Sequence, residues 1–300
     1  MFTRLLVPLD GSAQAAVALP LARAVARQTG AAQRLLRVLP THADPENCQH
    51  DEARANLARI AVELAADGRE VDTAVRTSDH PGAEIVREAQ RWPADLIVMA
   101  THGRKGVARA LIGSVAQRVV SDSAVPVLLL RPGGRRVAHL TTLLVPVDGT
   151  PEGARALGAA LPLAQETGAR IVLLQVVEPF IQRYFDESLA ADPLWDEETL
   201  TSARGYVETL AGRLRQAGVS AQGLVRQGRI SGVIADAAGE VGADVIVMST
   251  HARTGPARTL LGSIADEVVR TAHQPVLLIR QGTDALNPHA ASASAVALGS

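Results

Sequence analysis

Short apolar runs recur along the chain, each closed by a glycine or small polar turn and followed by a stretch of helical periodicity. Residues 5–9, LLVPL, stop at Asp10-Gly11-Ser12, and an Ala/Leu/Val-rich segment then runs to Thr29-Gly30. That order predicts a strand, a tight turn and a helix with Ser12 at its N-cap and Gly30 at its end. Residues 35–39 predict a second strand, leading into a polar segment, 40–50, too hydrophilic for core and long enough to lie over a crevice. Leu57, Ile60, Ala61, Leu64 and Ala65 share one helical face; a weak strand at 71–76 and a helix at 82–92 follow. Residues 96–99 give a fourth strand, 114–121 a helix and 126–130 a fifth strand. Strands alternating with helices predict an α/β fold with a parallel sheet covered on both faces.

The programme then restarts. After PGGRRVAH, residues 143–147 repeat the first strand, Asp148-Gly149-Thr150-Pro151 answers Asp10-Gly11-Ser12 with a proline at the first helical position, and 171–177 answers 35–39. Of the 38 positions from 94 to 131, 22 are identical to those from 243 to 280, so the chain is an internal duplication. This places one domain at 1–132, a linker at 133–139, a second domain at 140–281 and a disordered tail at 282–300. The offset between repeats is 138 at Asp10 and Asp148 but 149 at His102 and His251, so the second repeat gains 11 residues in between. They fall to 178–199, which holds Phe180, Tyr184, Phe185 and Trp195 and reads as a lid, a docking surface or, more simply, a cluster packed on its own domain. The wholly apolar last strands, 127–130 and 276–279, predict an edge-to-edge pairing of the two domains, a pseudo-dimer within one chain. A further homodimer is left open.

Composition narrows the function. Hydrophobic residues are 47% and charged residues 20%, enough for two packed cores. Aromatics at 2% argue against base-stacking platforms, and a net charge of −1 gives no footprint for nucleic acid or a membrane surface. Cys48 stands alone, which excludes an intrachain disulfide and a cysteine-built metal cluster. With no basic-then-apolar leader and no apolar run near the length of a membrane span, the expectation is a soluble, cytoplasmic protein.

Candidate chemistry centres on residues 100–114, ATHGRKGVARALIGS, and on their echo at 249–263, STHARTGPARTLLGS. Each follows an apolar run, whose carboxyl end opens onto the ligand crevice of an open α/β sheet. Gly113-Ser114 and Gly262-Ser263 each precede a helical pattern, so backbone N–H groups and the helix dipole would face one anion, although a simple turn and N-cap explains a single copy as well. Asp10 would accept ribose hydroxyl protons or help place a cation near phosphates, or serve only its Asp-Gly turn. His102 and His251 suit a phosphate or a structural hydrogen bond, and Lys105, the only lysine, lies in the loop beside Arg104 and reads by default as a solvated surface charge. Neither G-x-x-x-x-G-K-[ST] nor G-x-G-x-x-G occurs, no nucleophile set has a strand-turn context, and the histidines lack metal-ligand spacing.

These motifs resemble the universal stress protein family, in particular its tandem members. The family's loop is Gly, two residues, Gly, nine residues, then Gly with Ser or Thr. Gly103 and Gly113-Ser114 match in the first repeat, with Ala100 at the leading glycine; Gly262-Ser263 match in the second, with Ser249 and Ala252 at both leading glycines. The resemblance spans nearly all of residues 2–281 and implies two Rossmann-like, adenine nucleotide alpha hydrolase-like domains, each an open five-stranded parallel sheet. It implies an adenine nucleotide, ATP with AMP or ADP as alternatives and a Mg²⁺ ion compatible with the phosphates, bound as a signal with little or no hydrolysis. The first site would draw on Pro8, Leu9, Asp10, Val38, Met99, Ala100, His102, Gly103, Arg104, Gly113, Ser114 and Val115. The second would draw on Pro146, Val147, Asp148, Val176, Met248, Ser249, His251, Ala252, Arg253, Gly262, Ser263 and Ile264. Asp10 and Asp148 would contact the nucleoside, the backbone at Val38 and Val176 the adenine. Because Gly103 and Lys105 face Ala252 and Thr254, the first site is expected to bind more tightly. The alternative is an interaction protein of the same fold without nucleotide, favoured by the bulk of Ala100, Ser249 and Ala252.

Overall fold

The computed structural model describes residues 2–41, 48–66, 68–101, 112–178, 197–250 and 261–280. The first repeat runs β1 (Arg4–Pro8), α1 (Ala13–Ala16), α2 (Ala18–Thr29), β2 (Ala32–Leu39), α3 (Cys48–Ala65), β3 (Val71–Thr77), α4 (Pro81–Arg91), β4 (Leu96–Ala100), α5 (Ser114–Asp122) and β5 (Val127–Leu130). The second repeats the order as β6 (Thr142–Val147), α6 (Pro151–Ala154), α7 (Leu157–Thr167), β7 (Arg170–Val177), α8 (Glu197–Gln216), β8 (Ala221–Gln227), α9 (Ile230–Glu240), β9 (Val245–Thr250), α10 (Ser263–Thr271) and β10 (Val276–Arg280).

The caps follow the residues that suit them. Ser12 and Thr150 each accept the N–H three residues on, from Ala15 and Gly153, and Gly30 and Gly168 end α2 and α7 in left-handed geometry. Three differences from the sequence reading have physical causes. The first predicted helix is broken at Val17, as its counterpart is at Arg155 and Ala156; Pro20 withholds the N–H that would reach the Ala16 carbonyl, and in the second repeat the Gly158 N–H turns to the Arg155 carbonyl at 3.0 Å instead. Strand β2 starts three residues early, because Gln33 and Arg34 are polar by type yet partnered or enclosed by their neighbours. Helix α3 begins at Cys48, inside the polar segment, with its first turns solvated.

All ten strands form one sheet, in the order β3-β2-β1-β4-β5-β10-β9-β6-β7-β8. Within each repeat the ladders are parallel. At the centre β5 and β10 pair antiparallel, Leu128 opposite Leu277 and Leu129 opposite Val276, all buried. The strands of the two repeats therefore run in opposite directions. Helices α2, α3, α7 and α8 cover one face, around Leu5, Leu35, Leu143 and Ile171; α4, α5, α9 and α10 cover the other, around Ile97, Val119, Ile246 and Val268. Both cores cross the repeat boundary, so the burial that stabilises each half is shared.

Register refines the insertion. Gln33 pairs with Val71 and its counterpart Ile171 with Ala221, so the offset has grown from 138 to 150 between the second and third strands of the repeats. It falls to 149 at Pro81 and Ile230, where the turn into α9 is one residue shorter. The gain thus lies between β7 and α8, and the aromatic residues of 179–196 lie outside the described residues, as does the tail. Among the described residues no helix is long and apolar enough to cross a membrane.

Candidate functional site

Each repeat places its motifs at the carboxyl ends of three adjacent strands. In the first, the chain leaves β1 through Leu9, whose N–H bonds the Leu36 carbonyl at 2.8 Å, and turns at Asp10-Gly11-Ser12 with Gly11 at a φ of 80°. Asp10 Oδ1 accepts from Ser12 N at 2.9 Å and Ser12 Oγ at 2.5 Å. Asp148 Oδ1 accepts from Thr150 N at 2.9 Å and Thr150 Oγ1 at 2.6 Å. Both aspartates therefore serve the turn, and both stand beside the end of β2 or β7, where Val38 and Val176 lie.

On the other flank, β4 ends at Met99-Ala100 and Thr101 N bonds the Leu130 carbonyl at 2.8 Å. Gly113 N returns to the Thr101 carbonyl at 2.8 Å, which brings the start of α5 back over the strand end. Gly113 caps α5 and Gly262 caps α10, and neither makes a side-chain cap hydrogen bond. The first-turn N–H groups at Ser114, Val115, Ser263 and Ile264 are thus not met by a cap side chain, unlike those of α1 and α6. Gly262 has a φ of −53° and a Cβ there would meet nothing within 4 Å. Among the described residues, neither backbone strain nor packing calls for glycine at that cap.

The other candidates divide by environment. Leu9, Val147, Met99 and Met248 are core side chains, as is Pro8 by burial, so they reach a crevice only through their backbone. Pro146, Val115 and Ser249 are half-buried, Ser114, Ser263 and Ile264 exposed. Ser249 Oγ donates to the Glu152 carbonyl at 3.2 Å, tying β9 to α6, a bond Ala100 has no hydroxyl to repeat. His102, Gly103, Arg104, Lys105, His251, Ala252, Arg253 and Thr254 lie outside the described residues.

Three residues at these strand ends escaped the sequence reading. Arg37, one before Val38, donates through Nη1 to the Leu9 carbonyl at 3.4 Å; its counterpart Gln175 sets Nε2 3.5 Å from the place of a Cβ on Gly149, while its buried Oε1 has no partner among the described residues. Tyr206 on α8 packs half-buried against the core on that face, and burial, followed by the Asp148 charge, raises its phenol pKa. Position 37 was findable as a cation at a predicted crevice; Tyr206 depends on how α8 crosses the sheet. Among the described residues no group of three His, Cys, Asp or Glu side chains is arranged to hold a metal ion. A groove of about 270 Å³ lined by Val86, Ala89, Pro93, Ala94, Ser123 and Val125 lies at the opposite, amino-terminal ends of β4 and β5 and has no part in the crevice.

The sequence matches the model of the universal stress protein family twice, over residues 1–131 and 139–280. It is 26% identical over 244 residues to a universal stress protein of Mycolicibacterium smegmatis, covering 78% of each chain. A universal stress protein of Thermus aquaticus is 33% identical over 140 residues, 46% of this chain and 98% of the relative. The fold is similar to the crystal structure of a universal stress protein from Archaeoglobus fulgidus, with a TM-score of 0.71 and 19% identity over 94% of this chain and 97% of that one.

Proposed function

The chain belongs to the universal stress protein family, and from that membership we propose that it binds ATP, or a related adenine nucleotide, as a regulatory ligand in a cytoplasmic stress response. The domains of this reading are residues 1–132 and 140–281, joined by 133–139. The observation that carries it is the glycine-capped start of α5, tied back over a strand end by Gly113 N to the Thr101 carbonyl, and the like cap of α10, both with first-turn donors that no cap side chain takes. Such a start favours an anion by its N–H groups and its dipole. Asp10 and Asp148, one strand away, offer acceptors for ribose hydroxyls, and Mg²⁺ would come with the phosphates.

No residue among those described is placed to activate water, so the ligand is read as a bound signal, with turnover well below about 10 per second. Isothermal calorimetry with ATP and Mg²⁺ is expected to show binding. Gly113→Val and Gly262→Val are each expected to weaken one crevice by about tenfold or more, equivalent to about 1.4 kcal/mol, because each puts a branched side chain where the anion would approach. Ala100 and Ser249 favour the second reading, a partner-binding protein without nucleotide, since each adds bulk at a strand end. Absence of heat and of any thermal shift at millimolar ATP would establish that reading instead.

A further inference from the structure

Asp10 and Asp148 make the same two hydrogen bonds to their turns, yet they cannot stand in the same place relative to the helix that follows. A Cβ built on Gly153 would lie 2.1 Å from Asp148 Oδ1, 2.7 Å from its Cγ and 3.1 Å from its backbone N. The Asp148 carboxylate therefore fills the volume that a side chain at 153 would need. Five residues beyond Asp10 the first repeat has Ala15, buried, whose Cβ occupies that volume itself. In the first repeat the carboxylate is excluded from this position; in the second it is drawn against the first turn of α6.

Glycine inside a helix costs about 1 kcal/mol relative to alanine, so helix formation does not explain Gly153. Its backbone needs no left-handed φ either. What the glycine provides is room for Asp148. We propose that Gly153 is a positioning residue that retracts Asp148 from the second crevice, so that the second crevice is the weaker of the two toward ribose-bearing ligands. This rests on the nucleotide reading above, and it supplies a difference between the sites that is independent of the loops. Replacing Gly153 by alanine meets chiefly the Asp148 carboxylate, which rotates away, while the Asp148 backbone N at 3.1 Å gives by a few tenths of an ångström.

The test uses the full chain with ATP and Mg²⁺ in a Gly113→Val background, where the second crevice is read. Gly153→Ala is expected to tighten ATP binding by roughly threefold or more, the scale of one net hydrogen bond. In an Asp148→Asn background the same substitution is expected to do nothing. Unchanged or weaker binding in Gly153→Ala, or an equal gain with Asp148 already replaced, overturns the proposal. A ligand-free readout separates this from failure of the nucleotide reading. Tyr206 senses the Asp148 charge, so its alkaline titration, followed by tyrosinate absorbance in a Tyr184→Phe background, is expected to move in Gly153→Ala. If wild-type protein binds no ATP the nucleotide reading falls, and an unmoved Tyr206 titration overturns the positioning of Asp148 by itself.

Discussion

Gln28 and Glu166 hold equivalent positions in the two repeats, and each reaches across to the residue leading into the other repeat's first strand. Gln28 Oε1 accepts from Leu140 N at 2.7 Å, and its Nε2 donates to the Leu140 carbonyl at 3.1 Å and the Thr167 carbonyl at 3.3 Å. Glu166 accepts from the Phe2 N–H but has nothing to donate, and its Oε2 is enclosed without a partner among the described residues. Burial pushes the Glu166 carboxyl above its ordinary pKa, with Asp95 adding to the rise and the amino terminus and the Phe2 N–H opposing it. A carboxyl whose folded pKa is raised binds its proton more readily in the native state, so charging it lowers stability as pH rises through that folded value. Glu166→Gln removes the charge and restores the donor that Gln28 has. It is expected to raise stability by about 1 kcal/mol at neutral pH, with the gap closing as pH falls into the ordinary carboxylate range. Thermal melts of both proteins across that range check the size and the direction.

At the scale of elements, the two repeats fasten the same helix by different physics. Glu88 on α4 is fully enclosed and accepts from Arg34 of β2 at 2.9 Å and from Arg76 of β3 at 2.8 Å, while the Arg34 guanidinium lies 4.9 Å from the centroid of Trp92. In the second repeat the places of Arg34, Glu88 and Trp92 are held by Val172, Ala237 and Val241, whose side chains pack in the apolar core, and the polar ties to α9 move to its end, where Arg170 donates to the Val241 carbonyl at 3.1 Å and Arg226 to Glu240 at 3.3 Å. Glu88→Ala removes the carboxylate that Arg34 and Arg76 share, leaving Arg34 its pair with Asp72, and is expected to cost about 1–3 kcal/mol in denaturant unfolding. Combining it with Arg34→Val, the second repeat's solution, is expected to recover much of that loss.

These contrasts also mark how far the amino-acid pattern could be read. Strands made of unbroken Leu, Val and Ile, such as β4 and β10, and turns with Asp-Gly-Ser or Asp-Gly-Thr, announce themselves locally. The early start of β2 does not, because Arg34 is half-buried between two distant acids, Asp72 and Glu88, 38 and 54 residues away. Likewise the strand ends, the caps Gly113 and Gly262 and the two aspartates followed from spacing. Gly153 and Tyr206 did not, because their role depends on how closely α6 and α8 approach a turn.

Across the whole molecule, β5 and β10 turn two five-stranded halves into one sheet with cores common to both. Cutting between them uncovers an apolar strand of four buried residues, Val127–Leu130. Residues 1–135 alone are therefore expected to self-associate, measurable by sedimentation, and a well-behaved monomer would show that this edge does not need a partner. Because that central pairing is antiparallel, the carboxyl ends of the first five strands and of the second five lie on opposite rims of the sheet. The two crevices thus look away from each other, which excludes one small ligand from bridging them. A surface beside one crevice therefore stands clear of the other, on the far rim of the sheet, and whatever occupies one rim leaves the opposite rim uncovered.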